Sequence, residues 1–143
     1  MIEFDVLLSV KEKWVKKILA GEKTVEVRKT RPRLQTPFIC YLYQSGTGFV
    51  VGEFICKYVD QLVKVGSSFQ KSEYMRREGD RVLPIDYTPM QLTREELEAY
   101  GGGAVLYAWH ISRVRRYQMP EPLKCFGVSR PPQSWRYVLR KTA

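Results

Sequence analysis

The sequence predicts an α+β fold: a small mixed β-barrel or curled β-sheet, with two or three short helices as covers. Three observations predict it. The chain has 143 residues, enough to enclose one core but not two, so residues 1–143 are expected to form a single domain. Apolar residues make up 44% and aromatic residues 13%, which places the chain among folded proteins. Period-two alternation recurs along the chain, while the helical period is confined to two well-signalled stretches.

Residues 4–8 read as a short strand. Ser9 and Glu12 then have the spacing of a capping box, and Trp14, Val15, Ile18 and Leu19 form an apolar stripe at helical spacing. Gly21 is placed to end this helix in a left-handed turn, with Lys11, Lys13, Lys16 and Lys17 largely on its wet side. After Gly21 the period changes to two: Val25 and Val27 alternate with Thr24, Glu26 and Arg28, which should project from one face of a strand. RPRLQTP follows as an irregular basic connection, because Pro32 and Pro37 both resist a ladder.

FICYLYQ from Phe38 and GFVVGEFICKYV from Gly48 are two more strands, joined by the turn-forming SGTG. Residues 60–90 are ambiguous, with KSEYMRREGDRV open to a short helix or an exposed loop. In LTREELEAYGGG a second capping box, Thr93 with Glu96, opens a helix that runs to about Tyr100 and ends at Gly101–Gly103. That triple glycine follows a helix and lacks the Lys-Ser/Thr of a phosphate loop, so it reads as a helix stop. AVLYAWHISRVRRY is a long strand, and PPQSWRYVLRK a proline-led final one.

No apolar run approaches the roughly 20 residues that span a bilayer. The N-terminal MIEFDVLLSV is acidic where a signal peptide would be basic. A cytoplasmic monomer without a membrane partner is expected. Cys40, Cys56 and Cys125 are odd in number and far apart, and with His110, the sole histidine, they lack metal-site spacing. No metal and no cofactor are expected.

The net charge of +9 is carried by the chain ends. Residues 1–33 hold nine Lys and Arg against five acids, 34–112 seven against nine, and 113–143 eight against one. A fold that brings those ends together makes a basic face suited to phosphates. Trp135 and Tyr137, beside Arg130, Arg136 and Arg140, are candidate platforms for stacked bases.

VKKILAGEKTVEVRKTRP resembles the signature of the ASCH domain, a PUA-like β-barrel family. Its hallmark is a helix ending in Gly, then Lys-Thr, then an alternating strand that reaches an Arg; here these are Gly21, Lys23, Thr24, Glu26 and Arg28. EELEAYGGGAVLYAWHISRV and RPPQSWRYV resemble stretches of the longer bacterial and phage members, so the likeness covers most of the chain. The resemblance implies a cleft beside the first helix, lined by the signature strand, and binding of RNA or single-stranded nucleic acid with recognition of a base or modified nucleoside. In that expectation Lys23, Glu26 and Arg28 floor the cleft beside Thr24. Lys16, Lys17, Lys29, Arg31, Arg33, Arg113, Arg115, Arg116 and Arg136 contact phosphates, and Trp135 stacks.

A bacterial subset of the family hydrolyses the acyl-amide of N4-acetylcytidine with the signature Lys, a strand Thr and a Glu from a later helix. Transferred here, the Lys is Lys23, but the strand Thr falls on Glu26, which removes the expected hydroxyl nucleophile. The later acid is Glu95, Glu96 or Glu98. The alternative function is thus an amidohydrolase of this kind, or a ribonuclease, with Lys23 and Glu26 as its catalytic pair and Glu26 activating water.

Overall fold

The computed structural model describes residues 2–140. In chain order it forms β1 (Phe4–Val10), α1 (Glu12–Leu19), β2 (Val25–Arg28), β3 (Phe38–Gln44), β4 (Phe49–Ser67), β5 (Gln70–Glu78), β6 (Arg81–Leu83), α2 (Arg94–Gly101), β7 (Leu106–Pro122), a 3-10 turn (Leu123–Phe126) and β8 (Trp135–Leu139). Eight strands share one mixed sheet, ordered β2-β7-β4-β3-β1-β8, with β5 on the far part of β4 and β6 on β5. β1 pairs with β3 in parallel; the other ladders are antiparallel.

The α+β class is as the sequence predicts, but the barrel is not closed: β2 and β8 end the main path without a ladder between them. The sheet curls because β4 and β7 shift register three times, between Val50 and Gly52, Glu53 and Ile55, and Cys56 and Tyr58, and each irregularity bends the ribbon. Its concave face holds a core of Val6, Leu8, Phe38, Leu42, Phe54 and Trp109, plugged by Val15 and Ile18 of α1. On the opposite face, Leu7, Tyr41 and Val138 pack with Leu123 and Phe126 of the 3-10 turn. A third cluster joins Val25 and Val27 of β2 to Leu97 of α2 and Met90.

Two local readings are corrected. Ser9 does not cap α1, whose N-cap is Lys11 with no side-chain bond. Ser9 belongs to β1, and its hydroxyl donates to the Pro132 carbonyl at 2.7 Å. Residues 60–83 are neither helix nor loop: β4 runs on to Ser67, turns, and returns as β5 and β6. Their polar side chains face partners far along the chain, with Lys64 paired to Glu98 and Glu73 to Arg94.

The second capping box is present: Glu96 N–H donates to Thr93 Oγ1 at 3.0 Å, and Thr93 N–H to Glu96 Oε1 at 2.9 Å. At the other end Gly102 takes a left-handed conformation, φ 56°. Gly101 is required for space: a Cβ there would sit 2.1 Å from the Tyr74 hydroxyl and 2.8 Å from Leu106 Cδ1. Gly101→Ala is expected to destabilise the fold by roughly 1–3 kcal/mol through overpacking, as read from denaturant midpoints.

Among the described residues no helix is long and apolar enough to cross a membrane. Cys40 and Cys56 are buried free thiols and Cys125 an exposed one. Burial pushes the Cys56 thiol up to about 12, which keeps it protonated.

Candidate functional site

The gap in the ladder is where the signature residues meet. β2 bonds to β7 along one edge only, and its other edge faces a cavity of about 490 Å³ lined by residues from β1, α1, α2 and the loop before β8.

Lys23 sits between α1 and β2, outside the strand, so strand alternation does not set its direction. Its backbone N–H donates to the Lys17 carbonyl at 3.1 Å, which folds the chain back and aims the side chain inward. The side chain is 1% exposed, and Nζ donates to the Met90 carbonyl, lies 3.6 Å from Glu26 Oε1 and sits 4.7 Å from the Trp14 ring centroid. Burial lowers the Lys23 pKa below its ordinary value, with Glu26 pulling in the opposite direction.

Glu26 is also buried, and its Oε2 accepts from Arg28 Nη2 at 2.9 Å. The same Nη2 donates to the Ser9 carbonyl at 2.8 Å, and Nη1 to Ser134 Oγ at 3.2 Å. Arg28 therefore straps the free edge of β2 to β1 and to the loop before β8. Only a planar guanidinium with several fixed donors can hold three such acceptors together.

The opposite wall is α2. Glu96, Ala99 and Tyr100 line the cavity with Leu92, and of the three candidate acids only Glu96 is there. Glu98 pairs with Lys64, and Glu95 lines a separate depression beside Lys71 and Arg94. The capping hydrogen bonds with Thr93 hold the Glu96 pKa below its usual range, with smaller help from Lys13 and Lys23. Burial raises the Tyr100 pKa. Lys29 Nζ lies 4.9 Å from the Tyr100 ring and Lys13 Nζ 4.6 Å from the Trp14 ring, so two lysines stand over the aromatic walls.

The expected phosphate contacts disperse. None of the nine lines the cavity, where three cations (Lys11, Lys23, Arg28) face two carboxylates (Glu26, Glu96). Lys29 is nearest, over Tyr100. Arg33 N–H donates to the Tyr137 hydroxyl and Trp135 Nε1 to Thr30 Oγ1, so the 29–33 connection does meet β8. Arg31 turns back on its own loop, Lys16 pairs with Glu12 and Lys17 donates to Gln91. Arg115 is tied to Glu53, and with Arg116 it lines a different depression, beside Arg140. Arg113, in β7, is exposed and absent from the cavity wall. Trp135 packs edge-on against Trp109, whereas Arg136 lines a depression with Cys125 and Phe126. Thr24 is exposed and outside the cavity.

Sequence reasoning missed Lys11, Trp14, Ser134 and Tyr100 as site residues. Tyr100 had a legible signal: it lies four residues after Glu96, on the same helix face.

His110 sits elsewhere, stacked on Tyr58 with centroids 3.9 Å apart and bonded through Nε2 to Asp60 at 2.8 Å. Burial lowers its pKa below the ordinary 6.5, although Asp60 opposes this. As pH falls through 6.5 the unfolded chain takes up the proton before the folded one, so stability contributed by neutral His110 is lost on acidification. His110→Gln is expected to flatten the fall in stability between about pH 7 and pH 5, measured by urea denaturation at each pH.

A family model for the ASCH domain matches residues 8–121, a span that contains the cavity's β1, α1, β2 and α2 walls. The chain belongs to the ASCH domain family. The ASCH protein of Zymomonas mobilis has a similar solved structure, with TM-score 0.70, 20% identity, and coverage of 96% of this chain and 88% of that one. A serine-to-alanine mutant of the Zymomonas protein matches at TM-score 0.69 and 18% identity, covering 96% of this chain and 89% of that one. A tyrosine-to-phenylalanine mutant matches at 0.70 and 19%, covering 96% and 91%. At these identities the likeness fixes the fold, which fits the PUA-like class. A comparison with functionally curated proteins found no match. In this ASCH domain, Lys23, Glu26 and Arg28 of the signature stretch line one cavity, whereas Gly21 and Thr24 lie outside it.

Proposed function

We propose that this ASCH domain binds single-stranded nucleic acid, RNA foremost, by admitting one base or modified nucleotide into the cavity beside β2. The observation that carries the reading is the array of buried Lys23 and Glu26 with partly buried Arg28 on the wall of a 490 Å³ cavity. Burying a charge pair contributes little net stability, so the array is better explained by polar recognition than by folding. Ligand pockets typically span about 300–1,000 Å³, and this one is bordered by two aromatic rings that carry lysines. Trp14 and Tyr100 offer stacking surface, while Lys11, Lys13 and Lys29 at the rim offer phosphate contacts. The ASCH family's general association with RNA points the same way.

Fluorescence anisotropy of a labelled mixed-sequence single-stranded RNA, measured at two salt concentrations, tests the reading. Binding is expected to weaken steeply as salt rises, and Lys11→Ala with Lys29→Ala to reduce the logarithmic salt slope by about one per lysine. Absence of binding at low salt would overturn it.

A second reading rests on Glu96, which lines the same cavity as Lys23 and Glu26. Its Oε1 accepts from Thr93 N–H, and the capping bonds lower its pKa, which keeps the carboxylate ionised but makes it a weaker base than an unperturbed glutamate. In this reading Glu96 or Glu26 activates water for hydrolysis of an acylated cytidine or of RNA. Release of cytidine from N4-acetylcytidine, or cleavage of the labelled strand, lost in Glu96→Gln, is the result it requires.

A further inference from the structure

The free edge of β2 offers one further contact. In an antiparallel pair, residues bonded to the partner strand alternate with residues whose N–H and C=O turn away from it. Thr24 C=O accepts from Ile111 N–H at 2.8 Å, which fixes the phase. With Glu26 opposite Trp109 and Arg28 opposite Tyr107, those two residues bond to β7, while Val25 and Val27 direct their backbone groups outward. The outward edge is covered on both sides of Val27. Val25 N–H donates to the Pro89 carbonyl at 3.1 Å, and on the other side Tyr100 stands at Lys29, whose Nζ lies 4.9 Å from its ring.

Between these covers, Val27 lines the cavity, and its outward N–H and C=O have no hydrogen-bond partner among the described residues. Its side chain packs into the cluster under α2. An exposed strand edge is ordinarily a liability that proteins cover or blunt. Here Val27, only 5% exposed, is the position of β2 among the described residues whose edge groups stay unbonded, and it lines the cavity.

Resting on the proposed function, we infer that Val27 recognises the bound base through its backbone. Its N–H donates to a ring nitrogen or carbonyl, and its C=O accepts from the adjacent N–H on the base's Watson–Crick edge. A strand residue's paired donor and acceptor match a planar amide or amidine. Uracil offers O4 with N3–H, guanine O6 with N1–H, cytosine N3 with its amino group, and adenine N1 with its amino group. The contact therefore tolerates all four bases. It excludes any base whose Watson–Crick edge is occupied by pairing or by an alkyl group, which gives selectivity for single strands without sequence specificity.

The test compares an oligouridylate with the same strand built from 3-methyluridine or from 5-methyluridine, isomers that differ only in whether the edge is blocked. The 3-methyl strand is expected to bind at least about tenfold more weakly, and the 5-methyl strand to bind like the parent. In parallel, amide hydrogen exchange of the ligand-free protein should show fast exchange at Val27 between slow amides at Glu26 and Arg28, with Val27 slowing when oligouridylate is added.

Equal binding of the two methylated strands, or a Val27 amide already protected without RNA, overturns the backbone contact. Binding of mixed-sequence RNA would in that case leave the cavity reading standing. If neither the mixed-sequence RNA nor the oligouridylate binds, both fall.

Discussion

Glu26→Ala is expected to destabilise the protein by roughly 3–5 kcal/mol, the usual result of stranding a buried charge by removing its partner. Lys23 is 1% exposed and would keep only the Met90 carbonyl and the Trp14 ring once the carboxylate is gone. Arg28 would lose one of three acceptors but keep Ser9 and Ser134. The damage therefore centres on Lys23, and the series that checks it uses denaturant unfolding. Glu26→Gln keeps the volume and one acceptor and should fall between wild type and Glu26→Ala. Pairing Glu26→Ala with Lys23→Met removes both charges together and is expected to recover much of the loss, because the desolvation of an unpaired ammonium disappears with it. A strictly additive double variant would mean that Lys23 and Glu26 do not act as a pair.

The same residues explain how far the sequence could be read. α2 and its box were legible because every part of the signal is local: Thr93, Glu96 and the glycines lie within one helix length. Ser9-x-x-Glu12 carries an equally good local pattern, yet the hydroxyl of Ser9 goes to Pro132, which is 123 residues away. A capping box cannot be told from a strand residue with a distant acceptor until the sheet is assembled.

Lys23 was legible only through its resemblance to the family signature, not through its local sequence. A lysine at a helix–strand junction reads as solvated, and only the Met90 carbonyl, 67 residues later, makes a buried position tenable for it. The β4–β5 ribbon was obscured by charge: Lys64 and Glu73 look like solvent-facing residues but pair with Glu98 and Arg94 of α2. Sequence could not choose between the closed barrel and the curled open sheet. Strand count and alternation are the same for a closed and an open sheet, and closure depends on whether β2 reaches β8 in register.

Arg28 is the residue on which that opening turns. Arg28→Ala is expected to weaken single-stranded RNA binding by about ten- to a hundredfold and to lower stability by about 1.5–3 kcal/mol, the range for a lost hydrogen bond to a charged group. The two effects have one origin. The guanidinium ties the edge of β2 to Ser9 and Ser134 across the gap and orients Glu26 beside Lys23. Without it, the cavity wall loses its spacing and one of its three positive charges together.

Arg28→Lys separates charge from geometry. An ammonium keeps the positive charge but cannot present a flat fork to a backbone carbonyl, a hydroxyl and a carboxylate at once. It should recover the salt dependence of binding while leaving affinity at least about fivefold below wild type. Arg115→Ala, which removes an arginine tied to Glu53 away from the cavity, should change affinity by less than about twofold at moderate salt. If Arg115→Ala and Arg28→Ala weakened binding equally, the protein would be holding RNA by overall charge, and the cavity beside β2 would not be where the base goes.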